Sequence, residues 1–331
     1  MERTRDKVLG TLYGQAVGDA FGMPTELWPV ETLRTVFATP VTDFEAGPRT
    51  NSIAKNYQRG QYTDDTGQAL ALLDGLITTN WVPNQAELAR QLIDSATAAD
   101  AWNQNILGPS SKAVLLALKD GRDAQQITDQ AVTNGAAMRI APLGALFTPP
   151  QLDDLVRLVT RVTRTTHSSD VAFGGACLIA ASVTAAMADY AWDDLVSYAL
   201  RACHLGYQLG APTWAAKLPA RVNLALDLAR RYRGDAARFS QAIYEVVGTG
   251  TALTESVPAA LAIAYYTRDV QDCAIMCANL GGDTDTIGAM ATAICGAKTG
   301  VAAFPDGWCR LIDRQNPEHD LRGYAQQILQ Y

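Results

Sequence analysis

The chain has 331 residues, enough for one large domain or two average ones, and 48% hydrophobic against 18% charged residues fits a globular protein with a sizeable core. A net charge of −7 argues against non-specific nucleic-acid binding, which needs a Lys/Arg excess to neutralise phosphates. It leaves a nucleotide ligand open, because a metal site or backbone amides can hold phosphate locally.

The N-terminus, Met-Glu-Arg-Thr-Arg-Asp-Lys, carries both signs of charge and no apolar run, so it does not read as a secretory leader. No uninterrupted apolar stretch is long enough to span a bilayer; the Ala-rich 171–188 run comes nearest. Six cysteines without a C-x-x-C pair read as reduced core residues of a cytoplasmic protein. Three histidines, none in an H-E-x-x-H arrangement, give no soft zinc site.

Residues 4–21 show helical spacing through Val8, Leu12, Ala16 and Ala20. Gly10, Gly14 and Gly18 weaken that helix by about 1 kcal/mol each relative to Ala, so they imply close approach of another element or a ligand. Asp19, in this apolar setting, reads as a hydrogen-bonded structural carboxylate that anchors the next loop. Pro24 then ends the helix and leaves Glu26 in a loop. From about 29 to 61 turn pairs such as Gly47-Pro48 and Asn51-Ser52 replace apolar periodicity. A loop of that length in a compact domain is usually functional, and this one reads as a lid or specificity loop.

The lid leads into Gln61-Tyr-Thr-Asp-Asp-Thr-Gly67. Beyond it the pattern is helical almost to the end, over 66–79, 84–99, 109–119, 124–133, 151–165, 170–189, 192–208, 214–232, 235–247, 256–265, 268–278, 286–298 and 320–330. Strand-type runs are scarce. These elements make an all-α, single-domain, multi-helix bundle over 1–331. Within it, the turn Thr133-Asn-Gly-Ala-Ala-Met-Arg139 offers backbone amides that suit an anion. His167 sits beside a helix N-cap, while His204 and His319 read as surface or packing residues. The pairs Asp153-Asp154 and Asp193-Asp194 open amphipathic helices and need no reading beyond capping.

The last signal is Asn279-Leu-Gly-Gly-Asp-Thr-Asp-Thr-Ile-Gly288, followed by an uncharged apolar run. On a regular helix Asp283 and Asp285 would point to nearly opposite sides, but a Gly-opened turn lets them converge. Ordinary capping explains one acid at a helix mouth, not the two side-by-side acids Asp64 and Asp65. Two Asp/Thr segments, each at the start of a helix, read as two halves of one hard-oxygen site for Mg²⁺, Ca²⁺ or Mn²⁺.

Thr63-Asp-Asp-Thr66 and Gly281-Gly-Asp-Thr-Asp-Thr286 resemble the two metal-binding motifs of the ADP-ribosylglycohydrolases. Further matches are Gly14-Gln-Ala-Val-Gly-Asp-Ala-Phe-Gly22 with Glu26, Asn134-Gly-Ala-Ala-Met-Arg139, Thr166-His167 and Ser256-Val-Pro-Ala-Ala260, so the resemblance covers essentially the whole chain. It implies a compact helical bundle around a binuclear centre, with two Mg²⁺ or Mn²⁺ held by Thr63, Asp64, Asp65, Asp283, Asp285 and Thr286. Glu26 becomes the catalytic carboxylate, with Asp65 as runner-up. Asn134, Gly135, Met138, Arg139 and His167 become substrate-pocket residues. The implied reaction is hydrolysis of an N-ribosyl bond, foremost ADP-ribosyl-arginine. The alternatives are a small free nucleoside or N-riboside on the same fold, and a metal-dependent binding protein without turnover. The implied partner is an ADP-ribosylated protein or a small ribosyl substrate, with no role for nucleic acid or membrane. The long 29–61 segment departs from the shorter connection expected in protein-demodifying members, which bears on the substrate rather than the chemistry.

Overall fold

The computed structural model describes residues 4–103 and 107–331. Among them are seventeen α-helices and no strand longer than an isolated bridge, as the periodicity requires. Two helices from opposite ends of the chain, Arg5–Gly22 and Thr284–Thr299, form the antiparallel axis on which the site is built. Gly10, Gly14, Gly18 and Gly22 face Gly296, Thr292, Gly288 and Thr284 in turn, backbone against backbone. A Cβ on Gly18 would lie 2.0 Å from the Gly288 carbonyl oxygen, and one on Gly22 would lie 2.3 Å from that of Thr284. The glycine spacing therefore serves helix–helix approach, and that approach carries Asp19 alongside the mouth of the second helix.

The helix Asp170–Met187 packs against this axis with every residue buried, so its length and apolarity are those of a core helix. The Ser169 hydroxyl caps it by accepting from Ala172 N at 3.2 Å. The acid pairs 153–154 and 193–194 lie in first turns of the helices Leu152–Thr163 and Trp192–Tyr207, where the helix dipole favours negative charge, but neither pair makes a capping hydrogen bond.

Several boundaries differ from the sequence reading. The expected 124–133 helix stops at Asp129, because Thr133 turns extended and bridges to Ala252. The expected loop at 29–61 contains a short helix, Val30–Val36, whose single buried residue, Leu33, leaves almost no periodic signal. Trp308–Gln315 is a further helix outside the expected set, with Trp308, Leu311 and Ile312 as its i, i+3, i+4 stripe. The expected 256–265 helix begins earlier, at Leu253, with Pro258 inside it. Pro258 has no N–H to offer Thr254, and the Arg221 guanidinium donates to that carbonyl instead, at 3.2 Å.

Candidate active site

The first acid segment opens the helix Asp64–Thr78, and its cap comes from elsewhere. Asp19, fully buried, accepts from Thr63 N at 2.8 Å and Thr63 Oγ1 at 2.9 Å through one oxygen. Its other oxygen accepts from Thr66 N at 2.9 Å and Thr66 Oγ1 at 2.6 Å. Asp19 thus anchors the loop, as its apolar setting suggested. Because it satisfies the helix amides, Asp65 is released from capping.

The second acid segment turns on Gly281 and Gly282, both at positive φ (+81° and +84°). A Cβ at Gly282 would meet the Thr249 carbonyl oxygen at 2.3 Å, so only glycine fits both the backbone angle and the space. Asp283 N donates to that same carbonyl, at 2.7 Å. Thr284 turns away from the acids, its hydroxyl donating to Gly22 O at 2.8 Å. The Glu26 segment is stitched to this turn: Leu27 N donates to Gly282 O and Gly282 N to Trp28 O, at 2.7 and 2.8 Å.

These elements bring the acids together. Asp19, Asp65 and Asp285 place carboxylate oxygens within 4.8 Å of one another, and so do Glu26, Asp283 and Asp285, with Asp285 common to both groups. Thr63 Oγ1 lies 3.2 Å from Asp65 Oδ2 and 3.3 Å from Asp285 Oδ2. One hydroxyl proton cannot serve three neighbouring carboxylate oxygens. The spacing matches the edge of an octahedral oxygen shell, about 3 Å for metal–oxygen distances of about 2.1 Å. Asp65 Oδ1 and Asp285 Oδ1 are buried and have no hydrogen-bond partner among the described residues. Buried carboxylate oxygens without a donor either take up a proton or face a cation, and the donor set is the hard-oxygen type that suits Mg²⁺ or Mn²⁺.

Electrostatics agrees. Burial, followed by the fields of neighbouring carboxylates, holds Asp65 and Asp285 well above the usual carboxylate range. Glu26 is also pushed up by burial and then by Asp283 and Asp64. Burial is the first cause for Asp64 as well, which rises to about 8 against the opposing pull of Arg139. Asp283 is raised by burial and pulled back chiefly by Asn134. Thr286, 3% exposed, hydrogen-bonds toward Asp65 and lowers it.

The remaining expected positions form a buried polar layer behind the acids. The Asn134 amide donates to Asp283 Oδ2. Arg139, 1% exposed, donates to Gln68 and Thr166, and Gln68 in turn donates to Asp64. His167 is 0% exposed, with Nδ1 2.8 Å from Thr166 Oγ1 and Nε2 3.2 Å from Thr133 Oγ1. Burial and then the Arg139 charge pull His167 down to about 3, so it stays neutral. A Cβ on Gly135 would lie 3.1 Å from His167 Cε1. Met138 is buried and contributes its carbonyl to the Gln15 amide at 3.0 Å. Arg139 and His167 are therefore buried beneath the turn rather than lining an opening. Asp64 stands outside both acid groups, facing a cleft of about 660 Å³.

That cleft is walled by Tyr57, Tyr62 and His319, with Gln68, Asp74 and Glu318, and no Lys or Arg lines it among the described residues. His319, read from sequence as a surface or packing residue, pairs its Nδ1 with the Tyr62 hydroxyl at 2.7 Å. Its contribution could not have been found from spacing, because its partner lies 257 residues away. A larger hollow of about 1350 Å³, beside Tyr190 and His204, contains none of the clustered acids.

The family model for ADP-ribosylglycohydrolase matches residues 1–331. The chain is 40% identical to the protein YegU of Escherichia coli K12 over 98% of this chain and 97% of that one. It is 25% identical to ADP-ribosylhydrolase ARH3 of Mus musculus over 92% and 87%. A solved structure titled "ADP-ribosylglycohydrolase-related protein complex" shares the fold, with a TM-score of 0.70 at 24% identity over 98% of both chains. A family match without a gap in coverage, on a fold that brings both acid segments to one point, makes this chain a hydrolase of the ADP-ribosylglycohydrolase family.

Proposed function

We propose that the protein hydrolyses an N-ribosyl bond of the ADP-ribosyl-arginine type, using two Mg²⁺ or Mn²⁺ held by Thr63, Asp64, Asp65, Asp283, Asp285 and Thr286. The observation that carries this reading is the pair of buried, unpartnered oxygens Asp65 Oδ1 and Asp285 Oδ1 at the meeting point of the two acid segments. Bound there, divalent ions supply charge compensation and lower the pKa of a coordinated water.

The chain's own residues divide the remaining work. Glu26 is half-buried at the loop side of the cluster, where its carboxylate accepts a proton from an incoming water. Burial is the first cause of its raised pKa and the charges of Asp283 and Asp64 the next; cations beside the cluster would remove that repulsion and favour the ionised form. Cleavage passes through an oxocarbenium-like state, and the carboxylates around the sugar stabilise the positive charge that develops. Asn134 and the Gln68–Arg139–Thr166 layer fix Asp283 and Asp64 in place. The leaving group faces the lid, residues 43–60 of which set substrate choice. The acidic wall of the cleft suits the guanidinium of an arginine.

A second reading, hydrolysis of a small free nucleoside or N-riboside, is favoured by one observation. The cleft has no Lys or Arg among its described lining residues to meet a pyrophosphate, and Arg139 is occupied internally. Assays of ADP-ribosyl-arginine, ADP-ribosyl-serine, nucleosides and α-ribosides with Mg²⁺ and Mn²⁺ separate the two. Turnover of ADP-ribosyl-arginine above the rest is expected. Turnover of free ribosides alone selects the second reading, and no metal-dependent turnover of any of them overturns both.

A further inference from the structure

Tyr57 belongs to the lid, and the chemistry above leaves it without a role. Its backbone is fixed on both sides: its N–H donates to Ala54 O at 2.9 Å, and its carbonyl accepts from Gly47 N at 3.0 Å. Gly47 lies so close to the 54–56 turn that a Cβ there would be 1.8 Å from Ala54 O. Asn51, 1% exposed, organises the same turn by accepting from Ile53 N at 3.0 Å and Ala54 N at 3.2 Å. The Asn51 amide then donates to Glu26 O at 3.0 Å, so one rigid turn positions both Tyr57 and Glu26.

Tyr57 lines the cleft together with Thr63 and Asp64. It lies in the field of Asp64, Asp19, Glu26 and Asp285, carried by four different segments of the chain. Burial, followed by those charges, holds its proton on throughout the working pH range. A half-buried phenol normally has a hydrogen-bond partner. Tyr13 donates to Asp313, Tyr62 pairs with His319, Tyr198 donates to Pro149 O and Tyr324 to Asp74, whereas the half-buried Tyr190, Tyr232 and Tyr244 make no phenol hydrogen bond among the described residues. The Tyr57 hydroxyl has no such bond among the described residues. It is a permanent donor on the cleft where a ribosyl substrate would sit.

We propose that Tyr57 is a specificity-determining residue of this site: its hydroxyl donates a hydrogen bond to the bound ribosyl substrate, and its ring forms the wall against which the leaving group packs. The proposal rests on the N-ribosyl reading and goes beyond it by giving the lid a named contact. Removing the hydroxyl strands no protein group, so Tyr57→Phe leaves folding intact, and a merely structural role predicts no kinetic change.

The test uses full-length protein loaded with Mg²⁺ or Mn²⁺, with the riboside or ADP-ribosyl compound that gives the highest turnover. Tyr57→Phe is expected to lower kcat/KM about tenfold, mainly through KM, with metal stoichiometry and Tm unchanged. Tyr57→Leu, lacking the ring as well, is expected to lose about a further tenfold. Unchanged kcat/KM in both variants of an active enzyme overturns the proposal while the N-ribosyl reading survives. Absence of turnover in the parent protein overturns both together.

Discussion

Asp19 and Asp285 sit in one cluster of carboxylates, both buried, yet their surroundings are opposite. Asp19 accepts four hydrogen bonds from Thr63 and Thr66, which fill both of its oxygens. Asp285 leaves one oxygen with no donor among the described residues, and so does Asp65. Asp19 is satisfied by protein atoms; Asp285 keeps an oxygen that could face a cation. Similar Asp chemistry on the two sides therefore serves assembly on one and leaves the other open for the ligation proposed above. This difference explains why the first helix can spare Asp65: a residue from another helix has taken over its capping.

The open side of the cluster should respond most strongly in turnover. Glu26→Gln keeps size and hydrogen-bonding capacity but removes the charge, and kcat is expected to fall about a hundredfold or more with little change in metal affinity. A near-normal kcat would move the role to Asp65.

The closed side should respond in stability. Asp19→Ala strands the amides of Thr63 and Thr66 and is expected to lower stability by about 2–4 kcal/mol, read by urea unfolding. In the metal-free protein Asp285→Asn should have the opposite sign, because it removes a buried charge that repels Glu26, Asp65 and Asp283. If both substitutions destabilise equally, the distinction between the two carboxylates fails.

Titration sharpens the same contrast. The clustered acids hold their protons to higher pH when folded than when unfolded, with Asp64 reaching about 8. Between about pH 4 and 8 the folded state thus binds more protons, and stability of the metal-free protein falls as pH rises through that window. Thermal melts in chelator across this range should show the decline, and Mg²⁺ or Mn²⁺ should offset it at the upper end. A Tm that rises with pH in chelator would contradict the assignment.

The smallest of these effects concerns the axis that holds the cluster together. Gly18→Ala would drive a methyl into the Gly288 carbonyl and should cost about 1–3 kcal/mol, again by urea unfolding. No loss would mean that the helices separate without consequence.

Much of this was legible in the sequence because it is local. Gly10, Gly14 and Gly18 announced a close approach, and Gly281-Gly282 announced the turn that lets Asp283 and Asp285 converge. What stayed hidden depends on partners distant in sequence. Gln68 reaches Arg139 across 71 positions, and Arg139 reaches Thr166 across 27, so no spacing rule marks them as one layer. The same limit made Arg139 and His167 look like pocket residues when their side chains are buried. Asn51 and Tyr57 lie in a segment without periodicity, where only folded geometry distinguishes a pinned turn from a loose one. Asn51's bond to Glu26 also means that replacing residues 43–60 would release Glu26 as well as the lid.

The most direct test of the shared site is calorimetric titration of Mg²⁺ or Mn²⁺ into the parent protein and into Asp285→Ala. The account predicts two tight ions per chain in the parent and the loss of at least one in the variant. The same stoichiometry and affinity in both would contradict it.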